Sequence, residues 1–356
     1  MAPGTIKTKH GWVEQFHFLN YKNINTMNKG ILRFEMFLQQ FEKILSNAAS
    51  QKNPALYLYQ NNARTPLFML EALAKLYSGF HNQKKFTKLK EHFKLLEDAL
   101  GAIDYYDAIA RKLSKNKKIP LEITQYLQAQ TREKLQHLNE LLNEKKWISE
   151  SNERLVKIRK KLTEANWLDD EKEINELNLF YGKAIYEIIE FTHVTNCHFD
   201  NMEEDVHELR RKLRWLSIYP QALQGCVQLT GSNIKSKQLA KYLTKEIITS
   251  PYNKMPQAGD NIYFLMLNKG YFLALSWLIA SLGELKDSGL TIVAVKEALQ
   301  QIKGINEVDA INQTYQVLGN KQIKLPVLLN NAEKICKTFF DEKNLGNLVN
   351  GIKKLN

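Results

Sequence analysis

Apolar residues recur at intervals of three and four along most of the chain, while the alternation that marks a half-buried strand does not recur. This pattern predicts an all-α protein with no sheet of more than two short strands. Ile31 to Leu45 forms a first apolar stripe, and Thr65 with Pro66 reads as an N-cap and first-turn pair opening the next helix. Phe86, Leu89, Phe93, Leu96 and Leu100 give the cleanest stripe, which runs through Gly101 towards Leu113. Pro120 marks a break before a run through Leu135 to Leu142, and Ser151–Thr163 and Glu173–Phe191 follow as further helices. A short helix is expected from Leu239 to Ile248. Tyr271, Leu275, Leu278, Leu282 and Leu285 then repeat the spacing, with Gly283 as an interruption, and helices at Leu290–Ile302 and Val327–Phe340 complete the chain.

One stretch, Asp200 to Leu216, separates two chemistries on a single helix. At about 100° per residue, His207, Arg210, Arg211 and Arg214 share one arc while Val206, Leu209, Leu213 and Leu216 share another. One face can bury, and the other collects positive charge. Asp200 and Glu203 read as a capping box, with Pro220 expected to kink or end the helix near Tyr219. A second basic stripe, Arg154, Lys157 and Lys161, has the spacing of an ordinary solvated helix face.

Charge sharpens this picture. Fifty Lys and Arg against 38 Asp and Glu leave a net charge of +12 over 356 residues, which favours polyanionic partners such as polyphosphate, nucleic acid or anionic lipid. Cys197, Cys226 and Cys336 are widely spaced with no CxxC, as expected in a reducing, cytoplasmic compartment. The leader MAPGTIKTKHGWVEQF does not read as a secretory signal, and the apolar run Gly270–Gly283 is too short for the roughly 20 residues that span a bilayer. It is expected to be a buried core helix, and no membrane association is expected.

Two segments, LLEDALGAIDYYDAIARKL from Leu95 and LSWLIASLGELKDSGLTIV from Leu275, each run an apolar helix into Leu-Gly and then an Asp, which suggests an internal duplication. Ahead of the first lies Arg64, and ahead of the second lies VHELRRKLRW from Val206. Here the chain resembles the CHAD family, the conserved-histidine α-helical domain, whose hallmarks are a His-x-x-Arg helix with further basic residues and a later Leu-Gly motif with Asp, each occurring twice. His207 and Arg210 match the second copy; in the first copy Asn61 stands at the histidine position and Arg64 at the arginine. The resemblance implies two antiparallel four-helix bundles related by a pseudo-twofold, here residues 28–195 and 196–356 of one domain. It also implies non-enzymatic binding of inorganic polyphosphate, carried here by His207, Arg210, Arg211 and Arg214, with Arg64 reaching in from an extended segment of the first copy.

Two other readings use the same residues. Glu190/His193 and Glu204/His207 are E-x-x-H pairs of the kind di-metal helical bundles employ, although Arg210 and Arg211 would repel a dication. A nucleic-acid binder would show the same charge, but with aromatic residues interleaved among the basic ones, and only Trp215 lies at the edge of the arc. No P-loop, dinucleotide turn, G-x-S-x-G or H-E-x-x-H motif argues for an enzyme, and no cofactor is implied.

Overall fold

The structure, a computed structural model, describes residues 28–149, 152–231 and 237–355. The leader read as lacking a secretory signal lies outside the described residues, as does the start of the Ser151–Thr163 helix. Twelve α-helices dominate the described residues. The first half contains α1 (Lys29–Ala49), α2 (Pro54–Gln60), α3 (Arg64–Phe80), α4 (Gln83–Leu113), α5 (Leu121–Glu144), α6 (Glu153–Thr163) and α7 (Asp170–Val194). The second contains α8 (Glu208–Ala222), α9 (Lys245–Thr249), α10 (Lys269–Lys303), α11 (Glu307–Leu318) and α12 (Leu325–Asp341).

The expected stripes become the core. On α4 the residues Phe86, Leu89, Phe93, Leu96 and Leu100 are all fully or almost fully buried, and the long α3–α4 contact is closed by Leu67, Leu70, Leu73 and Tyr77. α3 lies centrally, against α1, α4, α7 and α8. Gly283 does not interrupt its helix: α10 runs unbroken from Lys269 to Lys303, joining what the sequence suggested were two helices, because no proline or left-handed residue stops it before Gly304 at φ +62°. Its first half packs on α8, and its second half shares a small core of Ala294, Val295, Ala298 and Leu299 with Ile109, Leu113 and Ile123 of α4 and α5. No helix among the described residues is long and apolar enough to cross a membrane.

The expectation of at most two paired strands fails. β1 (Val227–Leu229) runs parallel to β2 (Tyr263–Leu267), and β2 pairs antiparallel with β3 (Val349–Lys354), giving a three-stranded sheet against α7. Its strands are short and show no alternation: β1 has three residues, β2 is a continuous apolar run, and β3 carries Asn350, Lys353 and Lys354. The Leu239–Ile248 helix is in fact a 3₁₀ turn at Ala240–Tyr242 followed by α9.

Pro220 also departs from expectation, since α8 continues through it to Ala222. A proline inside a helix removes the bond to the carbonyl four residues earlier. That carbonyl, Leu216 O, accepts instead from the buried Tyr181 hydroxyl at 3.4 Å. A second buried polar group ties α1, α3 and α7 together: the Arg33 guanidinium donates to Glu173 Oε2 at 2.7 Å and to the Tyr77 hydroxyl at 2.8 Å, and the hydroxyl donates to Glu173 Oε1 at 2.5 Å.

Candidate functional site

The basic helix starts differently from its sequence reading. Asn201, not Asp200, is the cap, its side chain accepting from the backbone N–H groups of Glu203 and Glu204. Asp205, not Glu203, reaches back, its Oδ2 accepting from the N–H groups of Asp200 and Asn201 at 2.9 and 2.7 Å. Between cap and helix, Met202–His207 form a π turn, which accommodates one residue more than an α turn. A uniform 100° wheel therefore does not hold across it.

The four basic residues of the predicted arc meet different surroundings, His207 within the π turn and the three arginines on the regular helix beyond it. Arg210 and Arg214, four residues apart, turn towards α3 and α10. His207 places Nδ1 2.8 Å from Glu203 Oε1, and Arg211, one residue around the helix, pairs with Glu208 at 2.7 Å with its side chain about half exposed. The E-x-x-H pair Glu204/His207 is thus replaced by Glu203/His207. Among the described residues no three His, Cys, Asp or Glu side chains gather closely enough to hold a metal ion.

Arg64 joins Arg210 and Arg214, though not from an extended segment. The Thr65–Pro66 cap is displaced: α3 starts at Arg64, preceded by Ala63 in helical geometry, and Pro66 fits within the first turn, where N–H groups have no intrahelical partner. Arg64 Nε lies 2.5 Å from Glu97 Oε1 and its Nη1 3.3 Å from Asp104 Oδ2. The Phe68 ring is approached by two arginines, with the Arg64 guanidinium carbon 5.1 Å and that of Arg214 4.5 Å from its centroid.

Arg64 and Arg210 are held in matching ways. The Arg64 guanidinium lies over Gly101, where a Cβ would come within 2.8 Å of Nη2; the Arg210 guanidinium lies over Gly283, where a Cβ would meet Nε at 3.0 Å. Each Nε then binds an oxygen four residues before its glycine, Glu97 Oε1 for Arg64 and the Ile279 carbonyl, at 3.0 Å, for Arg210. The two Leu-Gly motifs are therefore arginine seats. The missing side chain lets a flat cation lie against the helix.

Electrostatically the cluster is under tension. Arg214 has no carboxylate within ion-pair distance among the described residues, and burial, followed by Arg210 and Arg64, pushes its guanidinium down to about 10, with Glu97 opposing. It remains cationic at neutral pH. Burial lowers Arg210 as well, against the pull of Asp287. Further along α3, Lys75 lies with Nζ 5.0 Å from the Trp215 ring centre, and burial with Lys212, Lys90 and Arg211 brings it down to about 8, Glu71 opposing. Arg64, Phe68 and Lys75 share one face of α3, so the basic seam extends about 16 Å along it. Phe68, Lys75 and Lys212 were not identified from sequence; the i, i+4, i+11 spacing of Arg64, Phe68 and Lys75 was the available signal.

Glu71 stands in the same seam. Burial, then Glu97 and Asp98, raise its carboxyl to about 7, partly offset by Lys94 and Lys75. A folded-state pKa above the unfolded one means that the folded protein holds this proton more tightly. The associated stability is complete below about pH 4.5 and is lost as pH rises through about 7. Glu71→Gln is expected to be stabilising by up to about 3 kcal/mol at pH 8 and close to neutral at pH 4.5, as urea unfolding at the two pH values would show. Equal effects at both would mean that folding does not shift the Glu71 carboxyl.

Comparison with known proteins finds no matching family model, no matching curated protein and no matching solved structure.

Proposed function

We propose that the α3–α8 seam binds a phosphate-rich polyanion, inorganic polyphosphate foremost, and that the protein is a binding module rather than an enzyme. The observation that carries this reading is the grouping of three arginines in one seam, Arg64 and Arg214 on the Phe68 ring and Arg210 over Gly283, with Arg214 largely buried and unmatched by any carboxylate among the described residues. Clustered guanidiniums repel one another, and an anion with several charges relieves that repulsion while accepting several donors at once. Polyphosphate offers charge without bases. Aromatic faces in the seam are already covered, Phe68 by two arginines and Trp215, 8% exposed, by Lys75, which argues against base stacking and hence against nucleic acid. Three buried, unpaired cysteines suit a reducing, cytoplasmic setting.

The same reading takes the chain as two related helical halves of CHAD type. The paired seats, Arg64 on Gly101 and Arg210 on Gly283, support it, because a duplicated unit would repeat both the cation and its gap. In this reading both halves supply donors to one site, and His207 and Arg211 sit at its margin.

The direct experiment titrates the protein with long-chain polyphosphate and, at equal charge concentration, with RNA and heparin. Preference for polyphosphate that survives moderate salt is the expected result; equal binding of all three would reduce the seam to a general cationic surface. Gly283→Ala probes the seat. Alanine is favoured in a helix by up to about 1 kcal/mol, so stability should be held or slightly raised, while the displaced Arg210 weakens polyphosphate binding several-fold. Unchanged affinity in this variant would show that the glycine does not position Arg210.

A further inference from the structure

The outer side of α4 carries Lys85, Lys88 and His92 at i, i+3 and i+7, facing Arg154 and Lys161 of α6. The two rows run antiparallel and are bridged near both ends: Arg154 Nη1 lies 3.5 Å from His92 Nε2, and Lys85 Nζ donates to the Glu164 carbonyl at 2.7 Å. Each row is about 10 Å long. Arg159, on the same helix as Arg154, is matched by Glu35 at 2.9 Å and Glu42 at 2.7 Å. Lys85, Lys88, Arg154 and Lys161 have no such partner among the described residues, since Glu153 is engaged by Lys146 and Lys157, and Glu164 by Lys160.

We infer that this groove between α4 and α6 is a second anion site, separate from the α3–α8 seam, that takes two or three adjacent phosphate groups. Its donors are anchored by groups that leave their charge intact: Arg154 Nε donates to the Lys145 carbonyl at 2.8 Å and Lys85 to that of Glu164, both at helix C-termini. Arg154 Nη2 and the remaining hydrogens of Lys85 stay available, and little side-chain freedom is left to lose on binding. A short oligophosphate and the end of a long phosphate chain present the same chemistry here.

His92 reports occupancy. Burial, then Arg154, Lys161 and Lys88, bring its imidazole down to about 4 against the opposing pull of Glu91, so it is neutral in the free protein at pH 7. An anion that offsets those cations raises the imidazole pKa, so the ring gains a proton at a higher pH than in the free protein.

The test follows the His92 ring by NMR, assigned through His92→Gln, while sodium tripolyphosphate and, separately, long-chain polyphosphate are added to the full chain. The ring is expected to shift on addition of at least one of the two, with its midpoint rising by at least one pH unit. Lys88→Gln/Arg154→Gln should remove this response and weaken binding at the groove at least tenfold, whereas Arg210→Gln/Arg214→Gln should leave it in place. Failure of the seam to bind would therefore not erase the His92 response. A ring that neither phosphate moves in the wild-type protein would overturn the inference, as would a response lost with the seam variant and kept with the groove variant.

Discussion

Arg214→Met is expected to make the protein more stable and, in the same sample, to remove most of the polyphosphate affinity proposed for the α3–α8 seam. Lowering a guanidinium from its usual 12.5 to about 10 corresponds to roughly 3 kcal/mol of unfavourable environment for the charge at neutral pH. Methionine keeps much of the aliphatic stem that packs beside Phe68 and introduces no charge, so part of that penalty, about 1 to 3 kcal/mol, should return as stability. Binding moves the other way. A charge-assisted contact is worth about 1.5 to 3 kcal/mol, so affinity should fall by roughly ten- to a hundredfold. Arg214→Lys should lie between, retaining the charge but losing the planar fork. Thermal melts and titrations of both variants decide the matter: a less stable Arg214→Met protein with unchanged affinity would make Arg214 a packing residue and sink the assignment.

The largest loss of stability is expected at Glu173. Its carboxylate accepts from Arg33 and Tyr77 in a region where the Arg33 side chain is 5% exposed and that of Glu173 10%. Glu173→Gln preserves shape but leaves the Arg33 charge uncompensated, which costs about 3 to 5 kcal/mol for a buried pair broken on one side. Replacing both partners, as Arg33→Met with Glu173→Leu, removes the charge together with its counter-charge and should recover much of that loss. Urea unfolding of the single and double variants tests the claim. A single variant within 1 kcal/mol of wild type would show that water reaches Arg33.

What the sequence could reveal depended on whether a feature is local. The α4 stripe from Phe86 to Leu100 and the amphipathic α8 were legible because one helix face repeats every three or four residues whatever it packs against. The sheet was not legible, since β1 and β3 lie more than a hundred residues apart and become strands only by flanking β2. Arg210 and Arg214 could be selected from the helical wheel, and Arg64 from the resemblance. The meeting of Arg64 and Arg214 at Phe68, and the contact of Lys75 with Trp215, depend on how α3 crosses α8, which no spacing within either helix encodes. Pro220 misled the reading because the donor that compensates the freed Leu216 carbonyl, Tyr181, lies thirty-five residues before it in sequence.

The π turn at Met202–His207 has a consequence for how this protein tolerates changes of length. It stores one residue of slack between the Asn201 cap and the arginines of α8, so a deletion there can be absorbed by tightening the turn into an α turn. The helix beyond keeps its rotation, and Arg210 stays over Gly283. Deleting Glu204 should accordingly leave the melting temperature and polyphosphate affinity close to wild type. Deleting Lys212 should swing Arg214 by about 100° relative to Arg210 and abolish the seam. Single deletions in this part of the chain should thus be filtered by position, tolerated at an exposed residue of the turn such as Glu204 and not within the arginine-bearing helix that follows it.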